Sequence, residues 1–379
     1  MKRRRWMAIP GALVAVTLTL AACVTAKINL PVAPGTAGST VTIQTTPGAL
    51  DPTDPSRTAV GDFTFAGGVA LTSDQTSRLH GLSDLVVLPD GRMFVVSDDG
   101  DLLFALLKLD RDGRLAGLSG AWLHSLTDLE GRPLQGKDWS DAEGLTRLAD
   151  GRLLVSFEHR HRIWDYPEDD QSPATVMPMP GVAMVDNGGM EGLAAAADGY
   201  WVGLEPGSIW FCRLRAACDE VAGLPRPPPG FRISSLTTGP GGELVILHHS
   251  YFPSVGSRIQ VVIVRDPRGA AKVIGQFAMG PSATTDNFEG VAVVPKANGD
   301  WRLYLLSDDN FRAGNYSFAG NSAARINNNG TLRAADGGNI ALISGGDINN
   351  GHYPGANETF AADNTGLIEA PNGSIALLT

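Results

Sequence analysis

The chain has 379 residues, of which 46 are glycine, and its 40 acidic and 30 basic side chains leave a formal charge of −10. An apolar content of 43% supports a packed core and excludes a wholly disordered chain, while the acidic balance excludes a general nucleic-acid binder, which needs basic surface for phosphates. The length fits two or three average domains or one large all-β domain with extensions, and the abundant glycine favours short strands and tight turns.

The first residues read as an address. Lys2, Arg3, Arg4 and Arg5 precede an apolar run from Ala8 to Leu20, and Leu20-Ala21-Ala22-Cys23 follows. The order of charge, apolar run and small residues is that of a signal peptide, with a run too short to span a bilayer comfortably. The last four residues resemble a bacterial lipobox. That resemblance implies cleavage after residue 22, lipidation of Cys23 and, with Val24 next, an outer-membrane lipoprotein facing the periplasm or the surface. The competing reading is an ordinary secretory signal with a chance cysteine. Residues 23–58, rich in Thr, Pro, Gly, Ala and Ser, then read as a flexible tether. Cys212 and Cys218 are the other cysteines. In an exported protein they are candidates for a local disulfide, the alternative being two buried thiols.

Between about residues 59 and 312 one grammar recurs five times: a small apolar entry, a tight turn, a dense apolar run and then polar residues. The entry residues are Leu82, Leu145, Leu193, Leu236 and Val291. The turns include Asp90-Gly91, Asp150-Gly151, Asp198-Gly199, Gly241-Gly242 and Asn298-Gly299. Asp-Gly and Asn-Gly between apolar runs are strong hairpin signals. Repeats of roughly 40–50 residues with several strands each point to an all-β propeller. Six blades are expected, the sixth combining Gly61–Leu71 with a strand from the far end. The alternatives are a β-sandwich or an incomplete propeller.

Specific motifs then accumulate. They are Gly81-Leu82-Ser83-Asp84-Leu85 with Val96-Ser97-Asp98-Asp99, Trp139-Ser140-Asp141-Ala142-Glu143-Gly144-Leu145, Ser156-Phe157-Glu158-His159, Asn187-Gly188-Gly189-Met190-Glu191-Gly192-Leu193 and Asp286-Asn287-Phe288-Glu289-Gly290 with Ser307-Asp308-Asp309. In this order they resemble the phytase-like family described as "esterase-like activity of phytase". The resemblance implies hydrolysis of phosphoric or other esters of small molecules.

The residues also carry their own chemistry. Glu143, Glu191 and Glu289 each precede the glycine of an entry segment, and Asp98, Asp99, Glu158, Glu205, Asp308 and Asp309 each close an apolar run. Equivalent blades would arrange each set as a ring around the central channel or one mouth, where crowded carboxylates repel unless a cation lies among them. Calcium, which takes six to eight oxygen ligands, is the expected ion, with bound water as nucleophile. Glu143, Glu191, Glu289, Glu158 and His159 are the candidate catalytic residues. Asp98, Asp99, Asp308, Asp309 and Glu205 are candidate metal ligands, and Arg160, Arg162 and His248 are candidate substrate contacts. Each carboxylate has a competing role as a turn cap, and each histidine as a satisfied core residue. No Gly-x-Ser-x-Gly elbow is present, which weighs against a conventional serine esterase.

Residues 313–379 depart from this grammar. Asn329-Gly330-Thr331-Leu332 with Ile340-Ala341-Leu342-Ile343 is echoed by Thr365-Gly366-Leu367-Ile368 with Ile375-Ala376-Leu377-Leu378. This reads as a β-solenoid fragment, and from about residue 318 it resembles filamentous-haemagglutinin-type adhesin repeats. Three functions therefore compete: a lipid-anchored ester hydrolase, a non-catalytic envelope propeller binding a protein or glycan, and a surface adhesion module. Membrane contact is expected through the lipid alone, with no nucleic-acid partner.

Overall fold

The computed structural model describes residues 39–61, 63–167, 173–186, 188–252, 254–280, 283 and 285–308. The lipobox with Cys23, the adhesin-like segment, Asp309 and Asn187 lie outside the described residues.

Five short strands come first: β1 (Ser39–Thr40), β2 (Gln44–Gly48), β3 (Ala59–Val60), β4 (Phe63–Thr64) and β5 (Gly68–Thr72). Blade one is β6 (Leu82–Val87), β7 (Arg92–Ser97), β8 (Asp101–Leu109) and β9 (Leu115–Ser125), with β1 added to its outer edge. After the single-turn helix α1 (Lys137–Ser140), blade two is β10 (Ala142–Arg147), β11 (Leu153–Phe157), β12 (Arg162–Tyr166) and β13 (Thr175–Met177). Blade three is β14 (Met190–Ala196), β15 (Gly199–Leu204), β16 (Ile209–Arg213) and β17 (Cys218–Glu220). Blade four is β18 (Arg232–Thr238), β19 (Leu244–Phe252), β20 (Gly256–Arg265) and β21 (Lys272–Met279). A two-stranded hairpin, β22 (Asn287–Pro295) and β23 (Trp301–Asp308), takes the fifth position.

The hairpins form where the sequence places its turns. In blade one the Pro89-Asp90 turn closes when Gly91 N–H donates to Leu88 O at 2.9 Å, and Gly91 adopts φ +88°, a conformation glycine reaches without steric cost. The innermost strands β6, β10, β14, β18 and β22 neighbour one another in sequence, and β22 lies against β6. An apolar cluster fills each gap. Phe94 and Val96 meet Ala142 and Leu145 between blades one and two, and Leu154 meets Leu193 between two and three. Ala194 and Trp201 meet Leu236 and Ile246 between three and four, and Val245 meets Phe288 and Val291 beyond them. Leu306 and Ala292 meet Leu82 and Leu85 where the circle closes.

Among the described residues the propeller is therefore built on four complete blades, not six, with one hairpin beside them. The strand expected to begin a sixth blade, β5, pairs instead with β2, from Gln44↔Thr72 to Gly48↔Gly68. Part of the segment expected as a tether is likewise packed. Ser39 and Thr40 pair with Leu123 and Trp122, and Val41 and Leu50 are buried in the core. Apolar side chains set among polar ones at these positions were enough to recruit the chain to the blade edges. Cys212 and Cys218, directly opposite each other on β16 and β17, form a disulfide.

Candidate active site at the acidic mouth

The same irregularity occurs in every innermost strand. The pairing of β6 with β7 slips between Leu82 and Asp84, and equivalent bulges fall at Ala142/Leu145, Met190/Gly192, Ile233/Ser235 and Phe288/Gly290. A bulge adds a residue to one strand and re-aims its side chain. The bulged segments carry Ser83, Glu143, Glu191, Ser234 and Glu289. Opposite them, each second strand runs out into Asp98, Glu158, Glu205, His249 and Asp308. Three glutamates thus meet four further carboxylates at one end of the propeller, and blade four alone supplies Ser234 and His249.

Below this mouth the axis is closed. At the position occupied by Gly144, Gly192 and Gly290 in three strands, β6 carries Asp84 and β18 carries Ser235. Ser235 Oγ donates to Asp84 Oδ1 at 2.9 Å, and Asp84 Oδ2 accepts Leu145 N–H at 2.8 Å. Asp84 and Ser235 are both 0% exposed. The glycines leave them room: a Cβ on Gly192 would lie 2.6 Å from Leu236 N.

The carboxylates of the mouth are coupled. Glu143 is raised well above the usual carboxylate range, by burial first and then by Asp98, Glu191, Asp141 and Glu289. Glu191 is raised by burial, Glu158 and Glu205, and Glu289 by burial, Asp308, Asp98 and Glu191. The three are half-buried by surface yet ringed by protein, so the little water reaching them gives poor dielectric relief. Burial also lifts Glu158 to about 7, and its contact with the Glu191 carboxyl works against that rise while adding to the rise of Glu191.

One rim of the mouth is cationic. Oxygens of Asp98, Asp141 and Glu143 lie within 4.8 Å of one another. Lys137 Nζ sits 3.0 Å from Asp98 Oδ2 and also bonds Asp141, whose second oxygen lies 3.1 Å from His159 Nε2. Asp308 is held by Asn287 Nδ2 at 3.2 Å, and Glu205 pairs with Arg232.

The structure thus brings together Glu143, Glu158, Glu191, Glu289, Asp98, Asp308 and His159. Asp99 turns away to His80, 3.4 Å distant. Arg162 is not presented to solvent. It is 9% exposed, stacked 3.8 Å over Phe157 and 4.3 Å over Trp164, and it donates to Arg160 O and Trp139 O. His248 is 0% exposed, with Nδ1 3.3 Å from Gln260 Oε1, and burial lowers its pKa. Both were expected to touch substrate, but apolar packing on neighbouring strands draws them inward. Asp141, Lys137 and Asp84 were not singled out from the sequence. Aligning Ser83-Asp84-Leu85 on Glu143-Gly144-Leu145 would have exposed Asp84 as an acid in a glycine position.

The residues fit a divalent cation. Every donor is a carboxylate oxygen, the donor type calcium prefers, and the neighbours that weigh most on Glu143 are acidic.

Residues 77–311 match the family described as "Phytase-like: Esterase-like activity of phytase". No curated protein matches the chain. Among solved structures, a streptogramin B lyase is 13% identical at a TM-score of 0.35, with 60% of this chain and 91% of the lyase covered. A virginiamycin B lyase from Staphylococcus aureus is 10% identical at 0.35, covering 72% of this chain and 91% of its own. A candidate gluconolactonase is 13% identical at 0.40, covering 74% and 91%.

Proposed function

The chain belongs to the phytase-like family, and from that premise we propose that the acidic mouth hydrolyses phosphoric or related esters of small molecules. The observation that carries the reading is the repeated bulge, which aims Glu143, Glu191 and Glu289 into one coupled group with Glu158. Such a group can keep one carboxyl protonated beside another that is ionised near neutral pH, as general acid–base chemistry requires. Glu191, raised by burial and by its contact with Glu158, holds a proton, and Glu158, at about 7, is poised to accept one from water. Asp98, Asp141 and Glu143, whose oxygens lie within 4.8 Å of one another, would hold calcium, which when bound would supply charge neutralisation and a more acidic water. His159 orients Asp141, and the closed axis confines substrate to the open end. Export on the N-terminal signal with a lipid on Cys23 would place this mouth in the bacterial envelope, on an outer-membrane lipoprotein.

The test is turnover of a generic phosphomonoester, an acyl ester and phytate, with calcium and then with chelator. Calcium-dependent turnover lost in Glu191→Gln supports the hydrolase. A folded, calcium-stabilised protein with no turnover on any of the three would make this a binding propeller whose ions are structural.

A further inference from the structure

Trp139, on α1 at the rim of the mouth, is 42% exposed. An indole is costly to leave in water and is usually covered or used. One face of this ring is taken by Arg160, whose guanidinium carbon stands 4.2 Å from the ring centroid. Arg160 is itself exposed and follows Glu158, one of the carboxylates of the mouth, by two residues. Yet among the described residues no ion pair joins Arg160 to an acid, whereas Lys137 and Arg232 each hold one and His159 contacts Asp141.

The reason is mechanical. Arg162 donates one N–H to Arg160 O at 2.9 Å and another to Trp139 O. Its own guanidinium is fixed between Phe157 and Trp164. A buried arginine with no carboxylate partner among the described residues thus holds two exposed side chains in register. His159, between Glu158 and Arg160, adopts φ +51°, and its imidazole is clamped between Asp141 and Asp186. The Arg160 backbone is fixed on both sides, and its planar fork is stacked rather than folded into the mouth. Stacked guanidinium leaves its N–H edge free for an oxyanion, which it meets bidentately.

We propose that Arg160, stacked on Trp139, is a recognition subsite for an oxyanion of the substrate away from the scissile bond. Arg162 is its positioning residue. This rests on the hydrolase reading and narrows it: the preferred ester carries a second phosphate, sulfate or carboxylate on its non-reacting part. A singly charged ester would use only the carboxylate mouth, while a doubly charged one gains a charge-assisted pair at the rim.

The experiment titrates inorganic phosphate into the purified chain, calcium-free, and follows tryptophan emission. It uses the wild type, Arg160→Gln, Trp139→Phe and Glu191→Gln. A saturable change is expected in the wild type, and it persists in Glu191→Gln, which removes no part of the rim. Arg160→Gln should weaken the apparent Kd roughly tenfold or more, the value of one charge-assisted hydrogen-bonded pair. Trp139→Phe should keep binding but lose most of the emission change. An unaltered Kd in Arg160→Gln, or no saturable response in the wild type, overturns the subsite. A parallel comparison measures KM for esters with and without a second anionic group. Arg160→Gln should raise KM for the doubly charged ester only and leave kcat unchanged, and equal effects on both esters also overturn it. If phosphate binds through Arg160 but no ester is turned over, the subsite stands and the hydrolase reading falls.

Discussion

Glu158 and Glu191 meet carboxyl to carboxyl across the boundary between blades two and three, and that contact raises the pKa of Glu191 beyond the effect of burial. Burial is the first cause of the raised pKa of each, and each also feels the other. Glu158 closes β11 and Glu191 sits on the bulge of β14, so the pair exists only because the two blades pack with their irregularities at the same height. Its chemistry is therefore a property of the propeller and not of either motif.

That pairing gives stability an unusual pH dependence. Glu143, Glu158, Glu191 and Glu289 all have folded-state pKa values above their unfolded ones, Glu158 at about 7. Between their unfolded values and about 7 these four groups bind more protons in the folded state than in the unfolded chain, so their contribution to stability is fully present below the unfolded values and is lost as pH rises through that window. Calcium-free protein should melt at least ~3 °C lower at pH 8 than at pH 5. Saturating calcium, which replaces the protons, should remove most of the difference. Thermal unfolding at both pH values, with chelator and with calcium, decides it. A higher melting temperature at pH 8 without calcium would mean that the carboxylates are not crowded as described.

The axis plug makes a separate demand. Asp84 accepts hydrogen bonds from Leu85 N–H, Leu145 N–H and the Ser235 hydroxyl, linking blades one, two and four. Asp84→Ala leaves buried donors unpaired and a small void, at a cost of about 2–4 kcal/mol. Ser235→Ala removes one partner and should cost about 1–2 kcal/mol. Urea unfolding measures both, and a smaller loss for Asp84→Ala than for Ser235→Ala would contradict the plug.

Gly192 meets the same axis as backbone. An added Cβ would lie 2.6 Å from Leu236 N and 2.8 Å from Ser235 C, atoms of the next blade that cannot rotate away. Gly192→Ala should destabilise by about 1–3 kcal/mol through overpacking, despite alanine's lower unfolded-state entropy. An alanine variant as stable as the wild type in urea would show that the inner strands have room to part.

Much of this was legible in advance. Asp-Gly turns and apolar runs located the hairpins, and the glutamate before each entry glycine located Glu143, Glu191 and Glu289 at one end. The blade number was not legible, because β5 reads like an inner strand and only its pairing with β2 shows otherwise. Arg162 and His248 misled for a related reason. Both types are usually solvated, and only the aromatic stack around one and the neighbouring strands around the other show them buried. Lys137 gave no signal, since its partners Asp98 and Asp141 are brought to it by the packing of blades one and two.

Lys137 leads to the last expectation. Its ammonium occupies the place a cation would take between Asp98 and Asp141, and those two acids hold its pKa above the ordinary lysine value against the opposing effect of burial. A divalent ion sharing Asp98, Asp141 and Glu143 must displace or repel that charge. A divalent ion and an ammonium about 4 Å apart near a protein surface repel by ~8 kcal/mol before solvent screening, and Lys137 is partly exposed, so the effective opposition is smaller. Lys137→Met keeps the aliphatic stem and deletes the charge. Without calcium this variant should be less stable than wild type, because Asp98 and Asp141 lose their counter-ion. With calcium it should bind at least about tenfold more tightly than wild type, by calorimetric titration. Unchanged affinity would place the ion among Glu143, Glu191 and Glu289, clear of the lysine, and a weaker affinity would show that the ammonium supports the site rather than competing for it.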